Sequence, residues 1–338
     1  MSAASIRVGV LGCGRIGAMH ARLLAHEVPG LALAGVYDVD AAAARRVAGE
    51  LGTRAAASAE ELLGDPAVDA VAICTSTPTH VGLLVAAAEA GKAVFLEKPI
   101  SLDLAEVDRG LAAADAAGIF LQIGFNRRFD PAHASVREAV AAGELGELHL
   151  LRITSRDPEP PPIAYVRASG GIFLDMTIHD FDMARFVAGS EPAEVYARGE
   201  VRIDPEIGAA GDLDTAVVVL RHEDGTLTTI DNSRRAVYGY DQRVEAFGAK
   251  GMAASENPLA HSGIRRSAVG TAAARLPFFY LERYTPSYLA EWAAFERALR
   301  AGEPPPVSGA DGRAALVAGL AAWSSAREGR PVRVAEVA

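Results

Sequence analysis

The chain has 338 residues, 50% apolar and 22% charged, a composition that excludes disordered and collagen-like polymers and leaves room for about two domain-sized cores. Its 43 acidic and 33 basic residues leave a formal charge of -10, a field that repels phosphate backbones and anionic lipid, so neither nucleic acid nor a membrane surface is an expected partner. Two cysteines, Cys13 and Cys74, are too few for a disulfide framework and lack paired zinc spacing, which fits a reducing cytoplasm.

From Met1 to Val10 there is no cationic region followed by a long apolar stretch and a cleavage site, so no secretory leader is expected, and no run is long enough for a membrane span. Residues 6–11 (IRVGVL) read as a buried strand ending at glycines, and Ala18 to His26 as a helix. The rhythm repeats. LALAGVYD (31–38), VDAVAICT (68–75) and AVFLE (93–97) read as strands, with helices at Asp40 to Leu51, Val81 to Ala90 and about Leu102 to Ala117, before a last strand, IFLQIGF (119–125). Such alternation predicts a parallel sheet covered by helices, over residues 1–125.

Beyond Asn126 the strands alternate more loosely: LHLLRITSR, EVYARGEVRI, TAVVVLRH, TLTTIDNSR and DQRVEAFG. They predict a second domain, residues 126–338, with a large, mostly antiparallel open sheet. Asp224-Gly225 marks a hairpin turn. One helix is expected over Ile172 to Val187 and two near the C-terminus, Ser287 to Arg300 and Asp311 to Glu328, while Pro-rich stretches at 158–162 and 304–306 read as surface loops. The fold class is therefore α/β, a dinucleotide-binding domain of Rossmann type followed by an α+β domain.

Gly12-Cys13-Gly14-Arg15-Ile16-Gly17 matches G-x-G-x-x-G and lies between the first strand and the first helix, where the mechanism requires it. The glycines permit a tight turn, close approach of backbone to a pyrophosphate, and close packing of helix on strand, while the helix N-terminus favours the phosphate charge. Asp38, about 20 residues on, is placed to accept from a ribose hydroxyl and to repel a 2'-phosphate, which favours NAD over NADP. Arg45 and Arg46 lie further along a helix and read as solvated charges. The full set expected at the cofactor is Gly12, Gly14, Arg15, Ile16, Gly17, Asp38, Thr75, Glu97 and Lys98.

Lys98, in Glu97-Lys98-Pro99, closes a strand at the edge where parallel sheets bind ligands; a cation there can stabilise a developing alkoxide, although a solvated strand-end lysine is the plainer reading. In the segment from Gly170 to Asp182, Asp175, His179 and Asp182 recur at offsets of four and three and share one helical face. His179 is the expected base, because imidazole titrates near neutrality, and Asp175 its partner. Asp182 either accepts from substrate hydroxyls or is a surface aspartate. The same stripe admits a divalent metal, but a nicotinamide already accepts the hydride, so no metal is expected. Arg127, Arg128, Tyr238 and Tyr240 each have a packing role and a ligand-binding role open to them. Cys13 and Cys74 read as small packed residues, and His20 as a packed or capping histidine.

Taken together, GCGRIG at 12, EKP at 97, FNRRFDP at 125 and GGIFLDMTIHDFDMARF from Gly170 resemble the Gfo/Idh/MocA family of oxidoreductases across essentially the whole chain. DMTIHDFDMARF and the later GYDQRVEAFGAKG are similar to the inositol 2-dehydrogenase branch of that family. The resemblance implies Lys98, Asp175 and His179 as the catalytic set, with Arg128, Thr177, Asp182 and Tyr240 lining a polyol pocket; Asp157 rests on a looser match and is left out. It also implies NAD-dependent oxidation of myo-inositol to 2-keto-myo-inositol within inositol catabolism, and a homotetramer joined through the open sheet. Another inositol isomer, a pyranose, or a nucleotide-retaining sensor without turnover are the alternatives.

Overall fold

The glycine-bounded apolar runs near the N-terminus become strands, because β-branched and leucine side chains bury well on both faces of a parallel sheet. A computed structural model describes residues 4–338; the first three residues of the stretch read for a leader lie outside the described residues. By its contacts the chain divides into two units, the first comprising residues up to Asn126 with Tyr288–Ala314, the second Arg127–Ser287 with Ala315–Ala338.

The first unit alternates β1 (Ile6–Leu11), α1 (Arg15–His26), β2 (Leu31–Tyr37), α2 (Ala41–Leu51), α3 (Ala59–Leu63), β3 (Ala70–Ile73), α4 (His80–Glu89), β4 (Ala93–Glu97), α5 (Leu104–Ala117) and β5 (Leu121–Gly124). The five strands form one parallel sheet in the order β2-β1-β3-β4-β5. The order reverses direction between β1 and β3, so the carboxyl ends of those two strands frame a crevice of the kind that binds ligands in open α/β sheets. α2 begins at Asp40, whose carboxylate accepts from Ala42 N–H, and α5 at Asp103, which accepts from Glu106 N–H.

The second unit contains α6 (Pro131–Ala141), β6 (Leu148–Arg156), α7 (Ile163–Val166), α8 (Ile172–Asp175), α9 (Ile178–Ala188), β7 (Pro192–Glu200), α10 (Pro205–Ala209), β8 (Thr215–His222), β9 (Leu227–Ser233), β10 (Asp241–Gly248) and β11 (Gly251–Ser255), then the short pair β12 (Arg265–Ser267) and β13 (Gly270–Ala272). With β14 (Val332–Arg333), seven strands form one sheet in the order β11-β10-β6-β9-β8-β7-β14. All its pairs are antiparallel except β6 with β9, which run parallel. The Asp224-Gly225 turn joins β8 to β9 as expected, with Gly225 at φ 93°. One sheet face packs Leu151, Ile153, Val218, Leu220 and Ile230 against Phe173 and Phe181, and each such buried side chain stabilises by about 1.5–3 kcal/mol. The other face carries Val217, Leu227, Phe247 and Met252 exposed.

Two features differ from the sequence reading. The helix expected over 172–187 is two helices, because the backbone slips at Thr177: its N–H reaches back to Ile172 O at 2.9 Å, and its hydroxyl donates to the same carbonyl at 3.1 Å. That side-chain bond competes with a regular helical ladder. Secondly, Tyr288–Ala314 belongs to the first unit, whereas everything beyond residue 125 was assigned to the second domain. Long helices α11 (Tyr280–Ala301) and α12 (Gly309–Glu328) carry it. Trp292 stacks on Phe95 of β4 at 4.5 Å and Phe295 meets Phe120 edge-on at 5.2 Å, contacts that helical periodicity does not reveal.

Candidate active site

In the first unit the fingerprint turn is made by backbone. Gly12 has φ 99°, and a Cβ there would lie 2.5 Å from Cys74 O and 2.8 Å from Thr75 N, so only glycine lets the turn close onto the end of β3. A Cβ on Gly17 would lie 2.0 Å from Gly12 O, which sets how closely α1 approaches β1. Gly14 is the opposite: a Cβ there meets nothing within 4 Å. α1 starts at Arg15 with Gly14 as its cap and no side chain capping it, leaving its first N–H groups directed at an exposed edge, as a pyrophosphate site requires.

Asp38 ends β2 beside this turn, accepting from Cys13 N–H at 2.6 Å and Asp40 N–H at 2.8 Å. A carboxylate has four lone-pair positions, so these bonds orient Asp38 and leave it capacity for a ribose hydroxyl. Ile16 is half-buried and Arg15 exposed. Thr75 accepts or shares a hydroxyl bond with Thr79 at 2.7 Å. Cys13 is buried with its thiol pushed up to about 11, first by burial and then by the Asp38 charge, and Cys74 is raised by burial, so neither is a reactive thiol. These groups fit an NAD pyrophosphate and adenine ribose.

Glu97 and Lys98 are positioned by two histidines. Trp292 Nε1–H donates to His20 Nδ1 at 2.9 Å, and since indole can only donate, the proton of the His20 ring sits on Nε2, 2.8 Å from Glu97 Oε1. His20 is fully buried and meets Phe95, Tyr288 and Trp292 edge-on, which agrees with its reading as a packed histidine. His80 was not singled out from the sequence. Its ring nitrogens lie 2.8 Å from Pro99 O and 3.1 Å from Thr75 O, tying the end of β3 to the residue after Lys98, and burial holds its pKa below the usual histidine value. Lys98 is half-buried and followed by a cis peptide to Pro99.

The second unit builds its polar cluster from side chains. Asp175, the last residue of α8, accepts from Tyr165 Oη–H at 2.8 Å on one oxygen and from Arg234 Nη1 at 3.4 Å on the other. His179 is the second residue of α9, beyond the slip at Thr177. The even helical face expected for Asp175, His179 and Asp182 is therefore interrupted. Thr177 is fully buried, its hydroxyl 2.6 Å from Asn232 Oδ1, so it holds the slip in place. Asp182 is 1% exposed and takes Arg128 on both oxygens, at 2.8 and 2.5 Å. Its carboxylate thus orients Arg128, where the sequence reading had it meeting substrate hydroxyls or solvent. Arg127 is likewise buried against Asp180 at 2.7 Å. Tyr240 is buried with its ring 5.9 Å from that of Tyr284.

Asp157, omitted from the expected site, is half-buried and its carboxyl is pushed up to about 6, chiefly by burial, with Arg234 opposing and Asp175 reinforcing the shift. Tyr165, Asp212 and Arg234 were missed altogether, since nothing in their local sequence marks them. Among the described residues no group of His, Cys, Asp and Glu is arranged to hold a metal ion, and no helix is long and apolar enough to cross a membrane.

The likeness to known proteins follows this architecture. Residues 6–125 match an oxidoreductase family with an NAD-binding Rossmann fold, and residues 133–254 match the GFO/IDH/MocA C-terminal domain. A myo-inositol 2-dehydrogenase of Thermotoga maritima is 51% identical over 333 residues, covering 98% of this chain and 99% of the relative. The chain belongs to the Gfo/Idh/MocA family. It is an NAD-dependent oxidoreductase of that family, with the family's Rossmann-type first domain and α+β second domain. Among solved structures, a probable dehydrogenase from Thermotoga maritima superposes with a TM-score of 0.96 at 51% identity, covering 98% of this chain and 100% of that one. A scyllo-inositol dehydrogenase from Lactobacillus casei with bound NAD(H) and scyllo-inositol gives 0.90 at 29% identity, covering 98% and 99%.

Proposed function

We propose that this Gfo/Idh/MocA protein oxidises an inositol, with myo-inositol giving 2-keto-myo-inositol as the preferred reaction. The observation that carries the reading is the full-length likeness, at 51% identity, to a relative named myo-inositol 2-dehydrogenase. The oriented Asp175 four residues before His179 supports it.

NAD, when bound, supplies the acceptor for the hydride leaving the carbinol carbon. His179 takes the hydroxyl proton as the carbon–oxygen bond becomes a carbonyl, and Asp175 is its acidic companion. Lys98 offsets charge building on the reacting oxygen. Arg128, aimed by Asp182, donates to the other hydroxyls, and Tyr240 bounds the pocket. Thr177 keeps its place in the site by holding the α8–α9 slip. Gly12, Gly14, Arg15, Ile16 and Gly17 receive the pyrophosphate, Asp38 the adenine ribose, and Thr75, Glu97 and Lys98 the nicotinamide half. Each buried hydroxyl of the substrate needs a polar partner, so isomers are distinguished by which partners are left unpaired.

A second reading, scyllo-inositol as substrate, is favoured by the likeness to the Lactobacillus casei enzyme. The exposed sheet face bearing Val217, Leu227, Phe247 and Met252 supports assembly into a homotetramer, and the acidic, cysteine-poor chain supports a cytoplasmic setting. Growth of the NADH absorbance band with a panel of myo-, scyllo- and chiro-inositol and glucose tests the assignment. Turnover greatest with myo-inositol is expected; turnover greatest with another member reassigns the substrate, and silence across the panel with NAD still bound replaces the enzyme with a sensor.

A further inference from the structure

Arg234, directly after β9, is 1% exposed, and its guanidinium lies between two carboxylates: Nη1 is 3.4 Å from Asp175 Oδ2 and Nη2 is 3.3 Å from Asp212 Oδ2. Asp212 uses its other oxygen to accept from Ile172 N–H at 2.8 Å, the first residue of α8, while Asp175 is the last. One buried cation therefore reaches both ends of α8. Its own backbone is anchored, with Arg234 N–H donating to Asp214 O at 2.8 Å.

We propose that Arg234 is a positioning residue for the reaction: by bridging Asp175 and Asp212 it fixes α8 and keeps the Asp175 carboxylate aimed beside the start of α9, which carries His179. The inference rests on the reading of His179 as base. A guanidinium stays charged when buried. Without it, Asp175 and Asp212 would meet as like charges with nothing bridging them, and the two ends of α8 would lose their common tie. Groups that act on Asp175 from neighbouring elements include Tyr165 of α7, Arg234 after β9, Asp212 before β8 and, through its charge, Asp157 after β6. Arg234 brings positive charge to Asp175, while Asp212 and Asp157 are acids and Tyr165 a phenol. Tyr165, 50% exposed, holds the second Asp175 oxygen and is the tunable half of the clamp.

The test uses the full chain with NAD and myo-inositol as probe, comparing Arg234→Met, Arg234→Lys, Tyr165→Phe and His179→Ala. Misplacing a catalytic group by about 1 Å costs on the order of 100-fold, so Arg234→Met is expected to lose kcat on that scale per folded molecule. KM for NAD should not change, and the kcat pH profile should move because a buried positive charge beside the site is gone. Arg234→Lys should recover most of that loss, because it restores the charge. Should Arg234→Met not fold, Tyr165→Phe carries the test, with a several-fold fall in kcat and a displaced pH profile expected. Equal losses in the Met and Lys variants, explained by the unfolded fraction alone, would overturn the proposal, as would an unaltered kcat and pH profile in Tyr165→Phe where Arg234→Met cannot be made. If His179→Ala retains full turnover, the base assignment fails; if it is inactive while Arg234→Met behaves as wild type, only the positioning role fails.

Discussion

In the first unit the ligand-facing turn is backbone, open at Gly14 and ended by an uncapped helix, whereas in the second the polar cluster is made of buried side chains that grip one another. Arg127 holds Asp180, Arg128 holds Asp182, and Arg234 holds Asp175 and Asp212. The difference reflects what each site must recognise. A pyrophosphate is the same in every dinucleotide and is met by N–H groups that any sequence with the right glycines supplies. A polyol differs from its isomers only in hydroxyl directions, so its site needs side chains held at defined angles.

The sharpest way to separate the two regions is His179→Ala. Loss of a general base should depress kcat by about 10²–10⁴-fold while NAD affinity, followed by fluorescence titration, stays unchanged; a coupled loss of NAD binding would break the division. Next in size is Arg128→Met, which takes the bidentate guanidinium away from the buried Asp182 carboxylate and should cost about 3–5 kcal/mol in urea unfolding. The double variant Arg128→Met with Asp182→Leu should regain much of that stability, because the uncompensated charge is gone. Gly12→Ala attacks the backbone-built turn. At φ 99° and with its new Cβ against Cys74 O, it should cost about 1–3 kcal/mol and weaken NAD binding, with no effect expected on the ion pairs of the second unit.

A last pair of variants concerns pH. Burial holds His133 well below its ordinary 6.5, so as pH falls below 6.5 the unfolded chain takes up a proton the folded chain refuses, and stability drops. Asp157 has the reverse sign: its folded carboxyl, raised from 3.8 to about 6, makes stability fall as pH rises through that window. Thermal melts across pH should therefore lose their acid-side decline in His133→Gln and gain stability above pH 6 in Asp157→Asn.

The strands of the first unit and the fingerprint were legible because they are local: AVFLE is β4 residue for residue, Gly12 and Gly14 lie between strand and helix, and Gly17 falls in the first turn of α1. The hairpin at Asp224-Gly225 was legible for the same reason. Thr177, Asp182 and Arg128 were recognised as important residues, but not as partners of Asn232 and of each other. Their partners lie about fifty residues away in sequence, beyond the reach of any periodicity.

Length, composition and charge by themselves called for two cores and spoke against a nucleic-acid partner, and local pattern alone determined the parallel sheet, the phosphate-binding turn and the candidates Lys98, Asp175 and His179. Only the tertiary structure decided that residues 288–314 return to the first unit, that the 172–188 segment breaks at Thr177, and that Arg234 and Tyr165 hold Asp175. Backbone conformation answers to neighbours a few positions away, whereas the placement of a buried charge answers to whichever opposite charge the folded chain brings beside it.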